Sequence, residues 1–122
     1  MVNETNNIMK QQLLYLATLL LFFGFTSMGS AQKVYKVDYA SQADIKVYAV
    51  QYESQCDLKV YEVDYQSQAK EDGLWYFVDY ASQADKKIVF VDYESQADLK
   101  IYYVDYQSQA GWRNKSKLHL LR

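Results

Sequence analysis

Between residues 33 and 112 apolar and polar positions alternate in the same way six times over. Stretches such as "KVYKVDY" (33–39) and "KIYYVDY" (100–106) set Val, Ile and Tyr among Lys and Asp, with neither Gly nor Pro. That composition and that two-residue period predict a strand in each unit. One face carries Tyr35, Val37 and Tyr39, or Tyr102, Val104 and Tyr106; the other carries Val34, Lys36 and Asp38, or Ile101, Tyr103 and Asp105. The Tyr-Val-Tyr face recurs in every unit but the fifth, where Val89 replaces the first tyrosine, and it is expected to face the core.

A second half follows each strand: "SQAD" or a variant. Ser41 stands three residues before Asp44, and the spacing returns at Ser54/Asp57, Ser82/Asp85 and Ser95/Asp98. Ser-x-x-Asp can cap a single helical turn, so the connections are expected to be one-turn helices. Ala43, Ala69, Ala84, Ala97 and Ala110, with Cys56 in the remaining slot, mark a crowded place where only small residues fit. Cys56 is accordingly read as a buried small residue.

The units begin at Lys33, Lys46, Lys59, Leu74, Lys87 and Lys100, and the residue after each marker tyrosine runs Ala40, Glu53, Gln66, then Ala81, Glu94, Gln107. The array is therefore a duplicated triplet, 33–73 and 74–112, joined at "KEDG" (70–73), and an approximate two-fold relation between the halves is expected. A seven-residue strand spans about 23 Å, more than six connecting residues can retrace beside it. Consecutive strands must reverse, or advance around a closed path; the triplet favours three sides per circuit and two circuits. The expected fold is thus mainly β: a small repeat domain of six short strands with single-turn connections.

Units such as "KVYKVDYASQAD" and "KIVFVDYESQAD" resemble those of the 7(1) septoil knot family, over essentially all of residues 33–112. The resemblance implies a backbone threaded into a septafoil knot. It brings no catalytic or ligand residues with it.

The N-terminal segment reads as a signal peptide, 1–31. An apolar run "LLYLATLLLFFGF" (13–25) follows Lys10, and Gly29 and Ala31 are small residues suited to cleavage before Gln32. Translation starting at Met9 would give a more typical leader. The run is too short for a stable membrane span, so no stable membrane anchor is expected after cleavage. The domain at 32–112 would then be exported, periplasmic or secreted, with a basic tail at 113–122 expected to be solvated.

Charge is nearly balanced, 13 Lys+Arg against 15 Asp+Glu, and the domain ahead of the tail is acidic, which argues against nucleic acid as a partner. His119 is the only histidine and Cys56 the only cysteine. No nucleophile-base pairing, phosphate loop or zinc spacing is visible, so no catalysis and no cofactor is expected. Calcium repeats turn on glycines that these units lack; their aspartates read as strand-end and turn-cap residues. Two classes remain, a non-catalytic structural or binding module and a self-assembling extracellular fibre. Trp75, Phe77, Phe90 and Tyr103 lie opposite the expected core face and form a candidate surface for protein or glycan, or else cover a second layer of the core.

Overall fold

The computed structural model describes residues 32–122; the expected leader and its Met9 start lie outside them. Six strands form where the repeats place them: β1 (Lys33–Lys36), β2 (Ile45–Ala49), β3 (Leu58–Glu62), β4 (Leu74–Phe77), β5 (Lys86–Phe90) and β6 (Leu99–Tyr103). A two-residue strand, β7 (Gly111–Trp112), adds to β3 in antiparallel fashion. The order β4-β1-β5-β2-β6-β3, closed by pairing of β3 with β4, makes a six-stranded parallel barrel.

Each strand of the first triplet lies between two strands of the second. Every neighbouring pair carries the same offset of two residues: Val34 stands opposite Lys86, Ile88 opposite Ile45, Val47 opposite Leu99, and Glu62 opposite Trp75. An even offset keeps inward residues level with inward residues around the wall. The triplets are thus related by one strand step around the barrel, a sixth of a turn where the duplication predicted a half turn. Interleaving is the cause, since each copy fills the gaps of the other.

The offset also resolves the problem of reach. Lys36 at the end of β1 and Ile45 at the start of β2 both stand opposite Ile88. The connection therefore needs to advance only two strand spacings, about 10 Å, with no return along the strand. Phe77 and Lys86 flank Val34 in the same way. The chain climbs around the barrel, as the winding inferred from the triplets requires.

Within each triplet the connection crosses the strand that it bypasses. After β1, Val37 N–H donates to Ile88 O and Asp44 N–H to Lys87 O, both at 2.8 Å. The residues between them are exposed and the barrel interior is filled, so the crossing runs over the outside of β5. Between those points lies one turn of 3-10 helix, Ala40–Gln42, repeated at Glu53–Gln55, Gln66–Gln68, Ala81–Gln83, Glu94–Gln96 and Gln107–Gln109.

This layering overturns the expected core face. The interior is built by the opposite face: Val34, Val47, Val60, Trp75, Ile88 and Ile101, with Ile45, Leu58 and Leu99 one pleat earlier, all at most 2% exposed. A barrel of only six strands is narrow and takes mostly β-branched and leucine side chains rather than the eleven tyrosine rings of the other face. Tyr35, Tyr48, Tyr61, Tyr76 and Tyr102 face outward, half-covered. The marker tyrosines stand beyond the strand ends and are solvent-exposed. Of that face only valines are buried: the shared one in its early copies (Val37, Val50, Val63, Val78) and Val89 in the fifth unit.

The tail is likewise part of the domain. A 3-10 segment, Lys115–Leu121, follows Asn114, whose side chain accepts from Ser116 N–H. Leu121 is fully buried in the core cluster, with Leu120 and Trp112 packed against it. Asp72, in the inserted "KEDG", gathers both ends of the domain: its carboxylate accepts from Gln32 Nε2 (3.3 Å) and Trp112 Nε1 (2.9 Å) and pairs with Arg122 (3.5 Å).

Candidate functional site

The sequence-based candidate surface does not assemble as one exposed face. Trp75 is fully buried at the centre of the barrel, edge-on to Phe77 with ring centroids 6.3 Å apart. Its indole N–H finds no acceptor among the described residues. Phe77 and Phe90 are half-buried against the core cluster, and Lys36 Nζ sits 5.4 Å from the Phe90 ring centre. Tyr103 alone is substantially open, at 42%. Strand order puts these residues at the barrel mouth, alternating as Phe77, Lys36, Phe90, Ala49, Tyr103, Glu62. Aromatics from one triplet and smaller or charged residues from the other close the mouth between them, so the set serves chiefly as a lid on the core. Burial, and next the Glu62 carboxylate, pushes the Tyr103 phenol up to about 12.

The aspartates of "SQAD" do not close Ser-x-x-Asp caps. The turns are capped by tyrosines without a side-chain bond, and serine sits too far inside the turn to reach its free N–H groups. Each aspartate instead clasps a lysine backbone of the other triplet. Asp44 Oδ2 accepts from Lys87 N–H (2.8 Å), Asp57 Oδ2 from Lys100 (2.9 Å), Asp85 Oδ2 from Lys33 (3.1 Å) and Asp98 Oδ2 from Lys46 (2.9 Å). The backbone N–H of each aspartate donates back to the same lysine's carbonyl. These are architectural pins, and no spacing rule read within one unit reveals them.

Cys56 lies buried beside the Asp57 pin, and burial raises its thiol pKa. A polar cleft of about 490 Å³ opens there, lined by Ser54, Asp57, Glu94, Lys100, Arg113 and Asn114. Its cations are engaged, Lys100 with Glu94 at 3.4 Å and Arg113 with Cys56 O at 3.5 Å. His119 Nδ1 lies 3.1 Å from Ser116 O.

What the fold does present, six times, is the turn itself. Tyr39, Tyr52, Tyr65, Tyr80, Tyr93 and Tyr106 are 65–68% exposed. Their backbones superpose in conformation, with φ from −124° to −129° and ψ from 135° to 141°. Exposed Ser and Gln follow each tyrosine, and an exposed Asp precedes all but Tyr52, where it is Gln51. One turn lies over each barrel strand, so the six form a ring around the wall. Sequence reading missed this site because alternation assigned the tyrosines to the core; the structure places them three residues beyond the strand ends.

A family model described as "7(1) septoil knot domain" matches residues 31–113. No curated protein matches the chain.

Proposed function

The chain belongs to the 7(1) septoil knot domain family, and from that premise we propose that it is an exported, non-catalytic binding module acting as a single closed barrel. Export rests on the leader-like segment at 1–31, with a periplasmic or secreted destination. The observation that carries the module reading, over a fibre, is closure: β3 pairs with β4, and β7 covers the start of β3. Fibre growth by strand addition needs a free edge, and this barrel offers none among the described residues. The interleaved winding agrees with the threaded backbone that the family description implies. Contact with a partner then falls to side chains of the outer ring, and a protein or a glycan fits it better than nucleic acid, given the acidic surface.

Residues 32–122 hold every described strand and the core cluster, so they serve as the test material. Light scattering after size exclusion, with an amyloid dye added on prolonged incubation, separates the readings. A dye-negative monomer of roughly ten kilodaltons is the expected result for one domain of this length. Growth into dye-positive polymers would sink the module and favour the fibre.

A further inference from the structure

We infer that the ring of six turns is a multivalent sugar-binding surface, each turn a subsite for one hexose of a neutral or amino-sugar polymer. The inference rests on the binding-module reading and names its ligand. Its first support is sameness where the fold demands none. Tyr, Ser and Gln recur in all six turns and Asp in five, all at exposed positions. The adjoining position drifts between Ala, Glu and Gln, and the buried interior itself varies between Val, Ile and Trp. Of those polar side chains only that of Gln68 is held within the described residues, accepting from Tyr65 N–H at 3.1 Å. The carboxylates of Asp38, Asp64, Asp79, Asp92 and Asp105 enter no hydrogen bond or ion pair among the described residues, in contrast to the four pin aspartates.

The chemistry of the turn is the second support. An open tyrosine ring offers an apolar face with a hydroxyl at its edge, and within four residues stand a carboxylate, a hydroxyl and an amide. A hexose needs that mixture: a flat C–H face to stack and hydroxyls that both donate and accept. Charge narrows the class. The chain carries 15 acidic residues against 13 basic, and five turns bear an aspartate, so phosphorylated or sulfated polymers are repelled while neutral or cationic sugars are not. Repetition points to a polymer, because a regular ligand can occupy several equal sites at once. Individually weak subsites then gain about 10²–10⁴-fold from linkage.

The test uses residues 32–122 with two probes, a glucosamine hexamer and an N-acetylglucosamine hexamer, by calorimetry and by retention on the matching insoluble polymers. The triple variant Tyr39→Ala, Tyr52→Ala, Tyr65→Ala removes alternate turns. These exposed positions should leave the melting temperature within a few degrees. Retention on at least one polymer, falling more than tenfold in the triple variant while a free disaccharide loses only about half its sites, is the expected result. A preference for the amino sugar would identify the aspartates as contributors. Absence of retention on both polymers, or retention indifferent to the three substitutions, overturns the inference. In either of those cases a dye-negative monomer leaves the module reading standing, whereas dye-positive assembly removes that reading itself.

Discussion

Asp57 and Lys100, 43 residues apart and in different triplets, clasp each other twice. Asp57 N–H donates to Lys100 O at 2.7 Å, and Asp57 Oδ2 accepts from Lys100 N–H at 2.9 Å. The same residue holds the tail. Its Oδ1 accepts from Asn114 Nδ2 at 3.0 Å, and its carbonyl accepts from the backbone N–H groups of Arg113 and Asn114, each at 2.9 Å. Asp57 is 5% exposed, unlike its counterparts at 44, 85 and 98, because the tail covers it.

That difference sets the first prediction. Asp57→Ala takes the acceptor away from two donors at a position only 5% exposed and should cost about 3 kcal/mol, against about 1 kcal/mol for Asp44→Ala at its exposed pin. Urea unfolding of both variants checks it. Equal losses would mean that the tail contacts contribute nothing.

How much of this was legible follows from what a linear pattern encodes. Val34, Lys36 and Asp38 announce a strand whichever face is buried, so the six strands and their one-turn connections were readable. The face was not. Tyr35 and Val34 are both good strand residues, and only the narrowness of a six-stranded barrel favours valine inside. The pins were hidden for another reason: Asp44 finds Lys87 through interleaving, which exists only after both triplets have wound. Leu121 was read as tail because the basic residues around it mask its burial.

Gly73 closes the insertion and should tolerate no side chain. Its φ of +89° favours glycine, and an added Cβ would strike Lys59 O and lie 2.9 Å from Gly111 N, both backbone atoms. Gly73→Ala should therefore cost about 3 kcal/mol or more. Gly111 is the internal control. Its φ is +145° but a Cβ there meets nothing within 4 Å, so Gly111→Ala should cost about 1 kcal/mol. Thermal melts of the pair test the contrast, which parity would refute.

Leu121 seals the barrel at the end where the strands begin. The neighbouring Arg122 reaches Asp72, and Lys117 Nζ donates to Asp98 O at 3.2 Å. At that end Gly73 supplies no side chain and Gln32 and Lys86 are polar, so one leucine fills what the repeats leave open. Leu121→Ala should lower stability by about 2–4 kcal/mol, whereas Leu118→Ala, half-buried and outside the core cluster, should cost under about 1 kcal/mol. A freely solvated tail would make both substitutions silent, and chemical denaturation distinguishes the two.

Tyr103 makes stability depend on alkaline pH. Its phenol is raised from the ordinary 10.0 to about 12 by burial and by the Glu62 carboxylate. The unfolded chain therefore loses this proton first. The contribution is fully present below pH 10, declines as pH rises from 10 to about 12, and has gone above that. A two-unit shift corresponds to about 2.7 kcal/mol at most. Because the side chain is 42% exposed, solvent screening reduces the expected loss to about 1 kcal/mol. Tyr103→Phe removes the proton and should flatten this part of the stability profile. Glu62→Gln should leave most of the slope, since burial is the larger cause. If Tyr103→Phe kept the full wild-type decline between pH 10 and 12, the lid tyrosine would not be its source.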